Sequence, residues 1–151
     1  MTKRFKLVSA VHLFLFQQDK LLLARRYNTG YEDGNYSVVA GHLDGNEEVV
    51  AAMIREAKEE AGITIEPSEI EIVGVMHRKA EETEDDERID FFLTASSWSG
   101  EVTICEPHRC DQLLWCSPDD LPENMVPYVR RGLENYRRGR WFDSYGWHTQ
   151  P

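Results

Sequence analysis

Cysteine, positive charge and long apolar runs are all scarce in this sequence, and each shortage excludes a class of protein. Three cysteines in 151 residues are too few, and odd in number, for the disulfide framework of a small secreted domain. Lys and Arg number 17 against 27 Asp and Glu, so the net charge of −10 argues against binding the phosphates of a DNA duplex. No stretch approaches the ~20 apolar residues that span a bilayer.

The N-terminal region lacks a signal-peptide pattern, because Ser9 and His12 interrupt its apolar stretch and no small-residue cleavage site follows. We therefore expect a cytoplasmic protein that meets no membrane. The remaining composition, 41% hydrophobic and 29% charged, is that of an ordinary globular protein. The length predicts a single domain over residues 1–151. If the ligand of so acidic a protein is an anion, a divalent metal ion is the obvious cation to recruit.

Apolar patterning predicts a mixed sheet covered by helices, an α+β arrangement. The clearest helix is predicted over 47–61, with Asp44 or Asn46 as its N-terminal cap and Gly62 at its end. A second helix is predicted over 126–138, and strands over 7–16, 21–24, 36–40, 70–76, 89–94, 102–105 and 113–116. The basic and aromatic tail, residues 128–147, is expected to pack on the core rather than to stack a base.

Three carboxylates lie on one side of the predicted first helix. At about 100° per residue, Glu59 and Glu60 both point within ~60° of Glu56, and Arg55 beside them can hold one carboxylate by a bidentate bond. Like charges so close repel unless a cation sits among them, and hard carboxylate oxygens suit Mg²⁺ or Mn²⁺. Because Mg²⁺ shares its coordination shell with phosphates and activates water, the cluster indicates metal-assisted hydrolysis of a phosphoanhydride. The alternative is an ordinary solvated helix face.

The segment that contains these residues resembles the Nudix box, G-x5-E-x7-R-E-U-x-E-E-x-G-U, in which U is a bulky apolar residue. Ile63 fills the last apolar position, and Ala57 is a small residue for the first one, which is a slight departure. All seven fixed residues are present, namely Gly41, Glu47, Arg55, Glu56, Glu59, Glu60 and Gly62.

The resemblance implies a Nudix-type α/β/α sandwich with a mixed β-sheet. It also implies hydrolysis of a nucleoside diphosphate linked to another moiety, with Mg²⁺ or Mn²⁺ as cofactor and a small nucleotide as partner. In this family the glutamates that match Glu56, Glu59 and Glu60 bind metal. The one that matches Glu56 is sometimes given the role of base, so the identity of the general base stays open. Arg55 would orient the carboxylates, and homodimers are common in the family.

The resemblance also assigns supporting roles around the cluster. Glu47 would brace the box, by pairing with Arg55, while Gly41 and Gly62 would serve its turns. The backbone carbonyl of Ala40 matches a carbonyl that often binds metal. Other members add a ligand or base on a later loop, for which this chain offers Glu81, Glu82, Glu84, Asp85, Asp86 and Glu87. The alternative for that acidic run is a solvated loop.

Weaker candidates lie outside the acidic cluster. Arg25 and Arg26 end a predicted strand ahead of the box, where they can meet phosphate or simply form a solvated strand end. His42, in the box turn, can contact phosphate or lie at the surface. A zinc site is not expected, because no common structural site has the spacing of Cys105, His108, Cys110 and Cys116.

Two functions follow from the sequence. The first is a Nudix pyrophosphohydrolase acting on a nucleoside triphosphate or a related nucleotide. The second is a catalytically idle module of the same fold that senses a nucleotide or binds a partner. The presence of every box glutamate favours the enzyme. The sequence does not name the substrate, because selectivity in this family lies in loops outside the box.

Overall fold

The computed structural model describes residues 3–79 and 87–147. Its strands are β1 (Val8–Gln17), β2 (Lys20–Arg26), β3 (Tyr36–Ser37), β4 (Val39–His42), β5 (Ile70–Lys79), β6 (Glu87–Ala95), β7 (Cys110–Cys116) and β8 (Phe142–Tyr145). Its helices are α1 (Val49–Ala61) and α2 (Pro127–Arg137), with a single 3₁₀ turn at Pro67–Glu69. No helix within the described ranges is long and apolar enough to cross a membrane.

The sheet is mixed, as the sequence predicts. β1 lies at its centre, parallel to β6 and antiparallel to β4 and to the start of β2. β5 pairs with β6 in antiparallel fashion, and β8 extends that edge in parallel with β5. On the other side, β2 pairs with β3 and β7. The two helices pack on separate hydrophobic clusters, so the molecule has the expected α/β/α sandwich arrangement.

β1 is buried on both faces, which explains its nearly continuous apolar sequence. Val11 and Leu13 belong to the cluster under α1, whereas Phe14 belongs to the cluster under α2. His12 is also buried, and its Nε2 lies 3.0 Å from Oδ1 of Asp90 in β6. Because β4 pairs with this central strand, the beginning of the box segment, Gly41, is held beside the central strand and faces α1.

α1 forms from the amphipathic stretch that follows the box turn. Gly62 ends the helix in the left-handed region at φ +73°, where its N–H donates to the carbonyl of Lys58. Alanine side chains on its inner face let the helix lie close to the sheet. The buried apolar residues of α1 are Ala52, Met53, Ala57 and Ala61.

The N-terminal cap of α1 is Glu48, so the prediction of Asp44 or Asn46 is wrong. The Glu48 carboxylate accepts a hydrogen bond from the N–H of Ala51. The carboxylate of Asp44 instead lies 3.3 Å from the guanidinium of Arg55. Asn46 has a left-handed backbone at φ +59°, whereas an N-cap residue is extended. The turn before the helix is therefore longer than its sequence pattern indicates.

The strand predicted over 102–105 does not form. The N–H groups of Thr103 and Cys105 donate to the carbonyls of Ala61 and Glu60, which are among the carbonyls left unpaired at the end of α1. This segment satisfies the helix terminus instead of joining the sheet, and it brings the following residues beside the box.

The tail contributes an additional strand, β8, that the sequence did not predict. Its buried residue is an aspartate, Asp143, which accepts hydrogen bonds from Arg131 and Asn135 of α2 at 2.9 and 2.8 Å. Trp141 and Phe142 are 61% and 46% exposed, so the expectation that the tail aromatics pack on the core is wrong for these two. Ion pairs to Asp143 and backbone pairing with β5 stabilise this strand. Its sequence therefore lacks the apolar alternation by which a strand is predicted.

Candidate active site

The beginning of the box and the middle of α1 are in direct contact. Gly41, in β4, lies so close to the side chain of Glu56 that a Cβ on residue 41 would overlap the carboxylate. Glu56 is only 9% exposed despite its charge. A glycine at this position therefore makes room for a buried carboxylate next to the sheet edge.

A single guanidinium connects the box turn to α1. Arg55 donates through Nε and Nη2 to both carboxylate oxygens of Glu47, at 3.1 and 2.7 Å. Its Nη1 donates to Glu56 at 2.7 Å and to Glu59 at 3.3 Å, and Nη2 also reaches the backbone carbonyl of His42. The bonds to Glu47, and then those to Glu56, hold the pKa of Arg55 well above its usual range. The arginine stays charged and fixes three carboxylates in place.

Glu60 is the least compensated carboxylate of the cluster. Its Oε1 accepts a long hydrogen bond, 3.3 Å, from the backbone N–H of Ala40. Burial raises the pKa of Glu60 well above its usual range, and the adjoining Glu56 and nearby Glu106 raise it further. The ionised form of Glu60 is therefore disfavoured, and a cation bound at this point would favour it.

The described residues do not form a ready-made metal cage. Across residues 3–79 and 87–147, no three Asp, Glu, His or Cys side chains converge as metal ligands. Arg55 engages Glu56 and Glu59, while Glu60 faces the backbone of Ala40. The donor chemistry still fits a hard divalent cation, because the carboxylate oxygens are of the type that Mg²⁺ prefers, and burial together with Glu56 and Glu106 disfavours an ionised Glu60 that has no cation beside it.

Two further ligand sources were expected from the sequence. The backbone of Ala40 does lie at the cluster, through its N–H to Glu60, and a ligand role for its carbonyl stays a prediction. Residues 81–86 of the acidic run lie outside the described residues. Glu87 begins β6, and its carboxylate lies 3.5 Å from Nε2 of His77.

Arg25 and Arg26 line a pocket that also contains Glu60. The same pocket is lined by Glu106 and Arg109, so three cationic side chains surround two carboxylates. An anion that binds together with a metal ion suits such a lining, because the guanidinium groups can hold its oxygens while the carboxylates hold the cation.

Each strand-end arginine has its own anchor. Arg25 donates to both oxygens of Asp111, at 2.7 and 2.9 Å. Arg26 donates to the carbonyl of Tyr31 at 2.6 Å and to the hydroxyl of Thr29 at 3.1 Å. Arg25 is therefore charge-paired, whereas Arg26 is held by neutral oxygens.

His42 occupies a different place from the two arginines. Its side chain is exposed, and its Nε2 lies 3.3 Å from Nη1 of Arg88 in β6. The pocket with Arg25 and Arg26 is lined by other residues. The cysteines at 105, 110 and 116 are not joined in disulfides.

Glu106 and Arg109 were not singled out in the sequence. They follow the segment that bonds to the end of α1, where the N–H of Cys105 donates to the carbonyl of Glu60. No periodicity or motif marks their approach to the box, which depends on this long-range backbone bond.

Several known structures share this fold. A MutT NUDIX hydrolase from Burkholderia pseudomallei matches with a TM-score of 0.77 and 26% identity, over 85% of this chain and 97% of that chain. A MutT protein from Methanosarcina mazei Go1 matches with a TM-score of 0.73 and 19% identity, over 91% and 97%. An ADP-ribose pyrophosphatase from Streptococcus suis 89-1591 matches with a TM-score of 0.59 and 19% identity, over 93% and 99%.

Sequence comparison reaches the same fold by a separate route. No curated protein matches the chain. The family model described as the NUDIX domain matches residues 6–136, a range that contains the entire box and both helices except the last residue of α2. The chain belongs to the NUDIX family and is a Nudix hydrolase.

Proposed function

We propose that the protein hydrolyses a diphosphate linkage in a nucleoside diphosphate derivative, either a nucleoside triphosphate or a related nucleotide, with Mg²⁺ or Mn²⁺ as cofactor. The observation that carries the proposal is the uncompensated Glu60, set beside the buried Glu56 at the edge of a pocket lined with arginines. The ADP-ribose pyrophosphatase among the similar structures bears a name that indicates the same class of linkage.

Glu56, Glu59 and Glu60 would hold the metal ion, with the carbonyl of Ala40 as a further ligand. When bound, the ion neutralises phosphate oxygens and lowers the pKa of a coordinated water. The ion pair of Arg55 with Glu47 keeps α1 aligned with the box turn. The carboxylates are thereby positioned before any ligand arrives, which is what a precise site requires.

The pocket residues would hold the substrate. Arg25, Arg26 and Arg109 are placed to donate to phosphate oxygens. A carboxylate takes a proton from the attacking water, whose oxygen bonds to one phosphorus while the other phosphate leaves. Glu56 and Glu106 both lie near Glu60, and Glu106 supplies the carboxylate outside the box that other family members place on a later loop.

Hydrolysis of a nucleotide panel tests the proposal. The purified protein is incubated with Mg²⁺ and nucleoside triphosphates, nucleotide sugars or dinucleoside polyphosphates, and the products are measured. Glu60→Gln should lower kcat by several orders of magnitude, because an essential ligand is lost. Glu66→Gln, at an exposed position, is the matched control and should behave as wild type. Unchanged activity in Glu60→Gln would overturn the metal assignment.

The same experiment separates the enzyme from an idle nucleotide-binding module. Tight nucleotide binding with no cleavage of any compound would favour the idle module. A homodimer, which the family resemblance implies, stays a prediction that light scattering on the purified protein can test.

A further inference from the structure

The loop between β2 and β3, residues 27–35, contributes to the wall of the arginine-lined pocket. Arg26, the last residue of β2, and Thr29, in the loop, both line that pocket. Backbone hydrogen bonds close the base of the loop, because the N–H of Gly34 donates to the carbonyl of Arg26 at 2.8 Å and the N–H of Arg26 donates to the carbonyl of Asn35 at 2.9 Å. The loop is therefore joined to the sheet at the residue that reaches the pocket.

Two oxygen atoms of this loop hold the guanidinium of Arg26. Its Nε donates to the carbonyl of Tyr31 at 2.6 Å, and its Nη2 donates to the hydroxyl of Thr29 at 3.1 Å. Because a guanidinium is planar, two held nitrogen atoms fix its plane as well as its position. Both acceptors are neutral, so these bonds orient Arg26 and leave its charge available to an anion in the pocket.

The hydroxyl of Thr29 is itself oriented by Asp33. It lies 2.6 Å from Oδ1 of Asp33 and 2.9 Å from the carbonyl of Tyr31, and its single proton favours the nearer, charged acceptor. Its two lone pairs then accept from Nη2 of Arg26 and from the N–H of Tyr31, at 3.1 and 3.2 Å. The donor and both acceptor positions of the hydroxyl are thus occupied, which fixes the oxygen atom that faces Arg26.

Asp33 is held in turn by the backbone of the same loop. Its Oδ1 accepts from the N–H of Thr29 and its Oδ2 from the N–H of Gly30, both at 2.9 Å. The bond from the Thr29 hydroxyl, followed by these two backbone bonds, keeps the pKa of Asp33 below its usual value. The carboxylate is therefore ionised at neutral pH, and an ionised acceptor makes the Thr29 oxygen a stronger acceptor towards Arg26.

The neighbouring arginine is held in a different way. Arg25 donates directly to both oxygens of Asp111, at 2.7 and 2.9 Å, so its charge is balanced at contact distance. For Arg26 the carboxylate of Asp33 lies one hydroxyl group further away, and it orients the guanidinium without pairing with it. The loop thus gives the pocket a fixed cation whose bonded partners are neutral.

We propose that Thr29 and Asp33 are positioning residues that hold Arg26 ready for the phosphate groups of the substrate. Asp33 orients the Thr29 hydroxyl, and the hydroxyl orients the guanidinium. A donor that is already oriented loses less side-chain freedom when a phosphate binds, so the loop should raise the affinity for a polyphosphate whether or not it carries a base. This inference rests on the proposed function, because it takes Arg26 as a ligand of phosphate.

Calorimetry with inorganic tripolyphosphate, with Ca²⁺ in place of Mg²⁺, tests the proposal without turnover. Arg26→Gln should weaken binding by roughly tenfold or more, because a charge-assisted bond is lost. Thr29→Val and Asp33→Asn should each weaken it roughly fivefold, whereas Thr29→Ser keeps the hydroxyl and should retain the affinity. Asp19→Asn, at an exposed turn aspartate, is the matched control and should bind as wild type does.

A double-mutant cycle separates positioning of Arg26 from general support of the loop. If Thr29 acts through Arg26, Thr29→Val should cause no further loss of affinity in an Arg26→Gln background. A threonine that only supported the loop would weaken tripolyphosphate binding equally in both backgrounds. Thermal melts show which variants are folded, and if Asp33→Asn is not folded, the cycle with Thr29→Val decides the question.

Three results would overturn the proposal. They are wild-type tripolyphosphate affinity in Arg26→Gln, wild-type affinity in Thr29→Val, and equal losses from Thr29→Val with and without Arg26. Failure of the proposed function would appear separately, as absent hydrolysis of the whole nucleotide panel by a wild-type protein whose tripolyphosphate affinities still follow the cycle.

Discussion

Arg55 and Glu47 form a two-point ion pair between the middle of α1 and the turn that precedes it. The two bonds are 2.7 and 3.1 Å long, and the side chains are 27% and 17% exposed. Two parallel bonds are more directional than one, so they set the position of the turn relative to the helix. They also leave Nη1 of Arg55 free to hold Glu56.

A double-mutant cycle on this pair should show coupling. With Arg55→Gln, Glu47→Gln and the double variant, we expect a coupling free energy of unfolding clearly larger than that of a single-bonded surface pair, because both carboxylate oxygens of Glu47 are held by Arg55. Urea denaturation measures it. The matched control is Arg137 with Asp119, an exposed pair with side chains 44% and 79% exposed, which should couple by less than about 0.5 kcal/mol. Equal coupling in both pairs would contradict the bracing role.

Gly41→Ala should damage catalysis more than stability. The added methyl group would overlap the Glu56 carboxylate and push it from its place, and a displacement of about 1 Å at a site can cost about 10²-fold in rate. The comparison is kcat/KM beside the melting temperature. Gly74→Ala is the control, because its Cβ would meet its neighbours at ordinary contact distances of 3.7 Å and more. A Gly41→Ala enzyme with full activity would show that the Glu56 position is unimportant.

The sequence predicted those parts of the molecule that depend on local pattern. The buried strand β1 and the helix α1 follow from apolar periodicity, and Gly62 follows from the left-handed backbone that ends a helix. The clustering of Glu56 with Glu60 follows from helix geometry alone. In each case the determining residues lie within a few positions of one another.

Contacts between distant segments could not be read in this way. Glu106 lies near Glu60 because a backbone bond joins Cys105 to the end of α1, and no periodicity encodes that bond. Asp143 is buried in β8 through hydrogen bonds from α2, so an apolar pattern is missing there. Glu48 replaces the expected caps because Asp44 and Glu47, in the turn before the helix, form ion pairs with Arg55 and so shape the turn.

Glu60→Gln should stabilise the metal-free protein near neutral pH. The pKa of Glu60 is raised above its usual value of 4.5 by burial and by Glu56, so the protonated form is favoured in the fold. A raised pKa contributes stability that is complete below the unfolded value and is lost as pH rises through the folded value. The wild type should therefore lose stability relative to Glu60→Gln as pH rises above 4.5.

Metal addition should reverse that order. Mg²⁺ binds the folded carboxylates and raises the wild-type melting temperature by mass action, whereas Glu60→Gln should respond much less. Thermal melts with and without Mg²⁺ measure both effects, with Glu66→Gln as the exposed control. A Glu60→Gln variant that is less stable than wild type in the absence of metal, above pH 4.5, would refute the conclusion that the ionised Glu60 carboxylate is disfavoured in the fold.

Asp90→Asn should destabilise the fold strongly at neutral pH. Asp90 is fully buried; burial alone would raise its pKa, but the hydrogen bond from His12 and then the charge of Arg78 lower it overall. Removing this charge leaves the buried Arg78 without its counterion, which costs about 3–5 kcal/mol.

The pH dependence of this loss follows from the lowered pKa of Asp90. A lowered pKa means that the stabilisation is present above the unfolded value of 3.8 and is lost as pH falls through the folded value. Urea titrations of wild type and Asp90→Asn measure the two free energies of unfolding. Their difference should be largest above pH 3.8 and should become smaller in stronger acid. Asp120→Asn, at an exposed position, should change little at any pH, and a similar small effect for Asp90→Asn would mean that Arg78 does not depend on its partner.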